Sequence, residues 1–343
     1  MKKLLNTLFV TTQGAYLSRE RETVLVSVEH ETRLKLPMHT LDGIVCFGNV
    51  AMSPFLMGAC AERGIAISFL TEHGSFLARV QGPIAGNVLL RREQYRRAEN
   101  ELASAELARY FLTAKLANSR TVLRRYLRDH ADKSEGKGVE DGIERLTMGL
   151  RSLETAQSLN VLRGIEGDTA GDYFGVFDEL IVSQKEAFIF SGRNRRPPLD
   201  NVNCLLSFIY TLLAHDCRAA LEGVGLDPQV GFLHRDRPGR PSLALDLMEE
   251  FRPVIADRLV LSLINLNQVT GDGFIKSETD AVTMTEATRK AVLVAYQKRK
   301  QEEIIHPFLQ EKLEVGLLFH VQALLLARHL RGDLEGYPPF FWR

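Results

Sequence analysis

The chain has 343 residues, 43 basic and 43 acidic side chains, and a hydrophobic content of 45%. This length favours about two domains, and the composition is that of a soluble globular protein. No apolar run approaches the roughly 18 residues of a membrane span, and Lys2-Lys3 before only two leucines is too short for a signal peptide. The four cysteines form no C-x-x-C pair; Cys204 and Cys217 lie in apolar helical sequence, so we expect these two to be buried free thiols, and a reducing cytoplasm fits.

The beginning of the chain predicts a small β domain. Short runs rich in β-branched and aromatic residues indicate strands at 8–10, 23–28, 43–47, 65–70 and 76–80. One helix interrupts them, with Ser53 as its N-cap, Pro54 in its first turn and Gly64 as its stop. Short strands leave edges that need covering, so we expect this domain to mediate dimerisation.

Near residue 85 the pattern becomes helical. A helix is predicted over about 91–128, a polar loop over 130–141, and further helices separated by Gly/Pro breaks over 143–330. Glycine-rich phosphate loops of the Rossmann or P-loop type are absent from the sequence.

The predicted fold class is therefore α+β. Residues 1–85 form an N-terminal β domain for dimerisation, and residues 86–343 form a larger, all-α, catalytic C-terminal domain.

The first predicted helix is strongly basic. Residues 91–128 contain ten basic and four acidic side chains, a local excess of six positive charges. Such a stripe binds DNA phosphates, or it is a solvated helix face with i,i+4 ion pairs, and the sequence leaves both readings open.

Three acids lie close together in a predicted helix that follows Pro241. At helical spacing Asp246, Glu249 and Glu250 flank an apolar stripe, where acids are costly unless they are paired or bind a metal. Ion pairs with Arg240 or Arg252 are the alternative. Periodicity does not choose between Glu249 and Glu250 as a ligand.

Two other segments supply candidate ligands. Glu166 lies between Gly164 and Gly167, which weaken a helix by about 1 kcal/mol each, so we expect the backbone to approach something closely there. His234 ends an apolar run and begins a charged loop. An exposed acid at a helix end and a structural histidine are the alternatives. Together the three segments suggest a divalent metal site suited to phosphodiester chemistry.

In combination, the order and spacing of several motifs are specific. They include Gly86-Asn87-Val88-Leu89-Leu90-Arg91-Arg92, Lys115-Leu116-Ala117-Asn118-Ser119-Arg120, Glu166-Gly167, Arg195-Arg196-Pro197-Pro198-Leu199-Asp200-Asn201, and the motifs of His234 and of residues 246–253. With these motifs the chain resembles the Cas1 family of CRISPR-associated endonucleases, which serve as integrases of spacer acquisition in antiviral defence. It looks most like the type I-C branch, over nearly its whole length.

This resemblance implies Mg²⁺ or Mn²⁺ held by Glu166, His234 and Glu249, with Asp246 as a supporting fourth catalytic residue. It also implies a homodimer that acts on spacer-precursor DNA and the CRISPR repeat with the partner Cas2, with the Cas4 nuclease as a further candidate partner, and no membrane. The candidate DNA contacts are Arg91, Arg92, Arg124, Arg125, Arg193, Arg195, Arg196 and Arg252.

Three functions follow as hypotheses. The first is metal-dependent integration, in which a spacer 3′-OH attacks a phosphodiester of the repeat by transesterification. The second is a hydrolytic nuclease acting on branched DNA in repair, and the third is a DNA-binding scaffold without catalysis. The aromatic tail at 337–343 is either a frayed end or a docking segment.

Overall fold

The computed structural model describes residues 7–41, 43–72, 76–80, 82, 88–130 and 137–342. The chain divides into two compact units, Met1–Gly86 and Asn87–Arg343. The composition change near residue 85 thus lies beside this division, although residues 73–75 and 83–87 fall outside the described residues.

The first unit contains two four-stranded sheets and one helix. Its elements are β1 (Thr7–Val10), β2 (Tyr16–Glu20), β3 (Thr23–Val28), β4 (Glu31–Pro37), β5 (Gly43–Phe47), β6 (Ala51–Met52), α1 (Pro54–Glu62), β7 (Ala66–Leu70) and β8 (Phe76–Val80). One sheet has the order β1-β5-β7-β8 with an antiparallel β8, and the other has the order β4-β3-β2-β6 with a parallel β6. In the first sheet Ile44 lies opposite Leu8 and Ile67.

The core of this unit explains why the sequence predicted most of its strands. Buried apolar side chains of both sheets and of α1 pack together, among them Leu17, Val24, Ile44 and Leu56. The predicted strands and α1 are confirmed, and the hydroxyl of Ser53 accepts a hydrogen bond from the Leu56 N–H at 3.2 Å. Strands β2 and β4 were not predicted because charged residues interrupt both, and β4 is almost entirely exposed.

The second unit is mainly helical, so the α+β class is confirmed. Its helices are α2 (Val88–Glu99), α3 (Glu101–Asp129), α4 (Lys137–Thr155), α5 (Leu159–Gly175), α6 (Asn201–Gly223), α7 (Ser242–Met248), α8 (Arg258–Asn265), α9 (Glu286–Gln301) and α10 (Val315–Arg331). Two hairpins accompany them, formed by β9 (Phe274–Lys276) with β10 (Val282–Met284) and by β11 (Glu303–Ile305) with β12 (Lys312–Glu314). A π-helical turn, Arg252–Asp257, precedes α8.

Two helix boundaries differ from the prediction. The helix predicted over about 91–128 is two helices, because Asn100 ends α2 and caps α3 by accepting a hydrogen bond from the Ala103 N–H at 3.1 Å. The loop predicted over 130–141 is wrong at its end, since α4 already begins at Lys137; residues 131–136 lie outside the described part of the chain.

Helix α6 lies in the core of this unit. In the described residues it alone is long and apolar enough to cross a membrane by length and composition, but 56% of that apolar stretch is buried. This burial is typical of a core helix. Cys204 and Cys217 lie on α6 as buried free thiols, as the sequence predicted.

Candidate active site

Helix α5 places Glu166. The helix starts at Ser158, whose hydroxyl accepts a hydrogen bond from the Val161 N–H at 3.3 Å, and continues past the glycines to Gly175. The Glu166 carboxylate, 32% exposed, contacts the ammonium group of Lys115 on α3. Glu166 therefore faces α3 while it remains accessible to solvent.

His234 lies in the loop between α6 and α7, and Asp246 of α7 fixes that loop. The fully buried Asp246 carboxylate accepts hydrogen bonds from three successive backbone N–H groups: Phe232 at 2.6 Å, Leu233 at 3.0 Å and His234 at 3.0 Å. On the other side, Nε of Arg163 donates to the Leu233 carbonyl at 2.8 Å. The loop thus has little freedom at the position of the candidate ligand.

Asp246 also orients the His234 ring. Nδ1 lies 2.7 Å from Oδ1 of Asp246, and a carboxylate can only accept, so the proton of this hydrogen bond belongs to Nδ1. Nε2 then points away from Asp246, towards Oε1 of Glu249 at 3.9 Å. A carboxylate that fixes the tautomer in this way is typical of ligating histidines.

Glu249, at the C-terminal end of α7, is the central residue of the site. It is 1% exposed; its Oε1 lies 2.9 Å from Nη1 of Arg252 and its Oε2 lies 2.9 Å from Nζ of Lys115. Burial alone would raise its pKa, but the charges of Arg252 and Lys115 lower the pKa of Glu249 to about 2. Glu249 is therefore a buried carboxylate in the ionised form that a metal ligand requires.

Glu250 faces a different part of the molecule. Its carboxylate accepts hydrogen bonds from the Tyr337 hydroxyl at 2.6 Å, the Phe340 N–H at 2.9 Å and Nε2 of Gln322 at 2.9 Å. Burial raises the pKa of Glu250 to about 7. The structure thus directs Glu249, and not Glu250, towards Glu166 and His234.

The metal question depends on Lys115. In the described ranges no three His, Cys, Asp or Glu side chains are grouped closely enough to hold a metal ion. The ammonium of Lys115 contacts both Glu166 and Glu249. The donor set itself, two carboxylates and one imidazole oriented by Asp246, matches the ligands used by Mg²⁺ and Mn²⁺. The two carboxylates also converge on one cationic group, so the residues fit a cation at this position.

Lys115 was not among the predicted site residues. It belongs to the basic stripe of residues 91–128, yet it is only 8% exposed. The available signal was its position: Ala108, Phe111 and Leu112 precede it by seven, four and three residues and are all buried, so Lys115 falls on the apolar face of α3. A charged residue on an apolar stripe indicates a buried partner.

No described residue packs closely against the glycines near Glu166. A Cβ added at Gly164, Gly167, Gly171 or Gly175 would meet no atom of the described residues within 4 Å. All four glycines are exposed and, at helical spacing, they lie on one side of α5. None of the described residues therefore makes the close approach that the sequence predicted.

The candidate DNA contacts fall into two groups. Arg193 and Arg252 have internal partners, since their guanidinium groups lie 5.1 and 5.0 Å from the ring centre of Tyr210, and Arg193 also donates to Asn203. This corrects the prediction for both residues, because Arg193 donates to Asn203 and Arg252 pairs with Glu249 at 2.9 Å, so their donors bind the fold instead of an open surface. The exposed or half-exposed candidates are Arg91, Arg92, Arg124, Arg125, Arg195 and Arg196.

The C-terminal tail is a docked segment. Asn118 of α3 donates to the carbonyls of Glu250 at 2.7 Å and Phe340 at 2.9 Å, and it accepts from the Trp342 N–H at 2.8 Å. The Trp342 ring lies 5.2 Å from the guanidinium of Arg258. Of the two alternatives left open by the sequence, the structure therefore shows docking.

Several known proteins resemble this chain in sequence or in fold. A chain from Chlorobaculum tepidum named CRISPR-associated endonuclease Cas1 1 is 58% identical over the full length of both chains, and one from Rhodospirillum rubrum named CRISPR-associated endonuclease Cas1 2 is 52% identical, again over both full lengths. A CAS1 protein from Thermotoga maritima has the same fold, with a TM-score of 0.80 at 23% identity over 96% of this chain and 97% of that chain. A casposase bound to its integration product superposes with a TM-score of 0.84 at 23% identity over 99% and 95% of the two chains.

The match to the family itself covers most of the chain. The model of the family described as CRISPR associated protein Cas1 matches residues 8–298. Together with relatives that are more than half identical over their full length, this match shows that the chain belongs to the Cas1 family of CRISPR-associated proteins.

Proposed function

We propose that this protein is a divalent-metal-dependent DNA integrase of CRISPR adaptation. It would join the 3′-OH ends of spacer-precursor DNA to the CRISPR repeat by transesterification. One observation carries the proposal: in a chain of the Cas1 family, Glu166, His234 and Glu249 come from three separate elements, Lys115 contacts both carboxylates, and Nε2 of His234 lies 3.9 Å from Glu249.

Glu166, His234 and Glu249 would hold Mg²⁺ or Mn²⁺. The bound ion would supply Lewis-acid polarisation of the scissile phosphodiester and stabilise charge on the leaving oxygen. The protein's own part is to arrange the ligands: Asp246 presents Nε2 of His234, and Arg252 holds the Glu249 carboxylate at 2.9 Å. No nucleotide is needed as an energy source, because one phosphodiester replaces another.

The exposed face of α5 favours a substrate with a bulky backbone. Gly164, Gly167 and Gly171 leave this face without side chains, and at helical spacing it lies about 100–160° around α5 from Glu166. A DNA strand could therefore approach the α5 backbone closely. Arg92 and Arg124 are exposed on α2 and α3 and would contact phosphates without reading sequence, as variable spacers require.

Ligand substitutions test the metal site. We expect Glu166→Gln, His234→Ala and Glu249→Gln to abolish DNA joining while each variant remains folded by circular dichroism. Glu250→Gln is the matched control, because Glu250 is the neighbouring buried acid and faces Tyr337 instead. Full loss in Glu250→Gln together with activity in Glu249→Gln would contradict the assignment.

Hydrolysis of branched DNA is the second candidate, since the relatives carry the name endonuclease. The same site would then use water in place of a 3′-OH. Spacer DNA with blocked 3′ ends separates the two reactions: integration stops, whereas hydrolysis continues. A DNA-binding scaffold would instead retain its role in a joining complex after all three ligand substitutions.

Salt dependence tests the DNA surface. Binding to duplex DNA should weaken with a log–log slope of about −0.9 for each phosphate neutralised. Arg124→Ala should reduce this slope, whereas Arg193→Ala should lower stability instead, because Arg193 bonds to Asn203 and stacks on Tyr210. A salt-independent affinity would refute electrostatic binding.

We further propose a homodimer formed through residues 1–85, with Cas2 as its partner. The first unit exposes large apolar side chains, including Phe55 at 86% and Leu77 at 59%, which favours a covered surface. Phe55→Glu should dissociate the dimer in light scattering, and a monomeric wild-type chain would refute it.

Structures similar in fold come from a Cas6-RT-Cas1–Cas2 complex, and relatives from Geobacter sulfurreducens and Rhodospirillum rubrum are Cas4/Cas1 fusions, so Cas4 is a second candidate partner. Membership of the type I-C branch stays a prediction.

A further inference from the structure

Lys115 occupies the position at which the two candidate carboxylate ligands meet. Its Nζ contacts Oε1 of Glu166 and lies 2.9 Å from Oε2 of Glu249, with its side chain 11% exposed. The lysine comes from α3, whereas the two acids come from α5 and from the end of α7. Three separate elements are therefore joined by a single ammonium group.

The contacts of Lys115 balance the charge of this pair of acids. Two ionised carboxylates held close together repel each other, and one of them, Glu249, is 1% exposed and poorly hydrated. A resident cation removes that repulsion and preserves the ligand positions. Arg252 contributes from the other side, but it contacts only Glu249 of the pair, at 2.9 Å.

The same contact obstructs a metal ion. A divalent ion bound by Glu166 and Glu249 would need oxygen atoms at about 2.0–2.2 Å. The ammonium already contacts those carboxylates, and two positive centres so close together repel strongly. Metal and ammonium therefore compete for the same carboxylates.

We propose that Lys115 is a built-in counter-cation, which holds Glu166 and Glu249 in place before the metal arrives and withdraws from them when the metal binds. The inference rests on the metal site of the proposed function. Lysine suits this role because its charge sits on a flexible four-carbon stem, unlike the planar guanidinium of Arg252.

The experiment measures Mn²⁺ binding directly, by electron paramagnetic resonance of the purified full chain. We expect Lys115→Met to bind Mn²⁺ about tenfold more tightly than the wild type, a change of about 1.4 kcal/mol. In EDTA the variant should have a lower Tm, because the carboxylates repel each other, and saturating Mn²⁺ should raise that Tm more than it raises the wild-type value. Lys115→Gln provides the same test if the methionine variant does not fold.

Lys300→Met is the matched control. Lys300 is also a buried lysine, 4% exposed, and its Nζ lies 3.0 Å from Asp216, away from the candidate ligands. Its loss should lower the Tm and leave the Mn²⁺ affinity unchanged. A tightening in Lys300→Met equal to that in Lys115→Met would overturn the proposal, since it would reflect general loosening.

Glu249→Gln separates failure of this inference from failure of the proposed function. If Mn²⁺ binding is absent from the wild type or unaffected by Glu249→Gln, the metal site is wrong and the inference fails with it. If Mn²⁺ binding depends on Glu249 but Lys115→Met and Lys115→Gln bind Mn²⁺ equally or more weakly than wild type, the metal site stands and the counter-cation role is refuted.

Discussion

Asp246→Asn is predicted to release the loop that carries His234. The substitution keeps the shape of the side chain but replaces one carboxylate oxygen with an NH₂ group. The two oxygens of Asp246 accept four hydrogen bonds, from the N–H groups of Phe232, Leu233 and His234 and from the His234 ring. Each oxygen accepts two of these hydrogen bonds. Whichever oxygen the NH₂ group replaces, two N–H donors therefore lose their acceptor.

The expected cost follows from that count. A buried donor without an acceptor costs about 1–3 kcal/mol, so two such donors cost roughly 2–6 kcal/mol, with about 4 kcal/mol as the central value. This is a large part of the stability of an ordinary domain, which is about 5–15 kcal/mol. The loss of a full negative charge beside three N–H dipoles acts in the same direction.

Urea denaturation and amide hydrogen exchange measure the effect. The amides of Phe232, Leu233 and His234 should lose protection first, and DNA joining should fall even at temperatures where the variant remains folded. Asp178→Asn is the control: Asp178 accepts one backbone hydrogen bond, from the Phe190 N–H at 2.9 Å, and its side chain, which pairs with Lys185, is 40% exposed, so we expect a loss of about 1 kcal/mol. Equal losses in the two variants would refute the reasoning.

Gly231→Ala probes the same contact from the opposite side. A Cβ at residue 231 would lie 2.8 Å from Oδ2 of Asp246 and 2.8 Å from the backbone carbon of Ser242. The backbone atom cannot move away easily, so the loop must shift off Asp246. The variant should therefore show the same early loss of amide protection as Asp246→Asn, and normal protection would indicate a looser loop than the structure shows.

Three further predictions concern stability elsewhere in the second unit. Burial raises the pKa of Asp257 to about 6 despite the hydrogen bond from the Tyr210 hydroxyl. The folded chain therefore binds a proton on Asp257 more tightly than the unfolded chain does, and stability falls as the pH rises from about 4 to 6. Asp257→Asn should remove about 3 kcal/mol of that fall, measured as urea midpoints at pH 4 and pH 7, and an unchanged pH profile would exclude Asp257 as its source. Replacing Gly167 with Ala should stabilise the chain by about 1 kcal/mol in thermal denaturation, since the added methyl group meets open space, and destabilisation would mean that the face is packed. Asn118→Asp places an acceptor against two backbone carbonyls, so it should cost about 3 kcal/mol of stability and undock the C-terminal tail. The fluorescence of Trp342, the single tryptophan, measures this undocking, and an unchanged spectrum would count against the docking.

The fold class and the candidate ligands could be predicted from the sequence alone. Strand-forming runs, the Ser53 cap and the helical periodicity after residue 86 depend on local preferences, and these preferences survive in the structure. Glu166, His234 and Asp246 stood out because each acid or imidazole lies at a glycine-rich or apolar position where a charge is unexpected. Resemblance to the Cas1 family then ordered these residues into one site.

Which side chains contact one another follows from the tertiary structure and could not be predicted from the sequence. Periodicity reports that a helix face is buried but not what covers it, so Glu249 and Glu250 were equivalent until α3, α5 and the C-terminal segment packed around them. Lys115 and Arg193 were counted as surface charge for the same reason. A charged side chain can be buried where the fold places a partner of opposite charge beside it. Lys115 and its partner Glu249 are 134 positions apart in the sequence. Such partners are chosen by packing, which a local pattern does not contain.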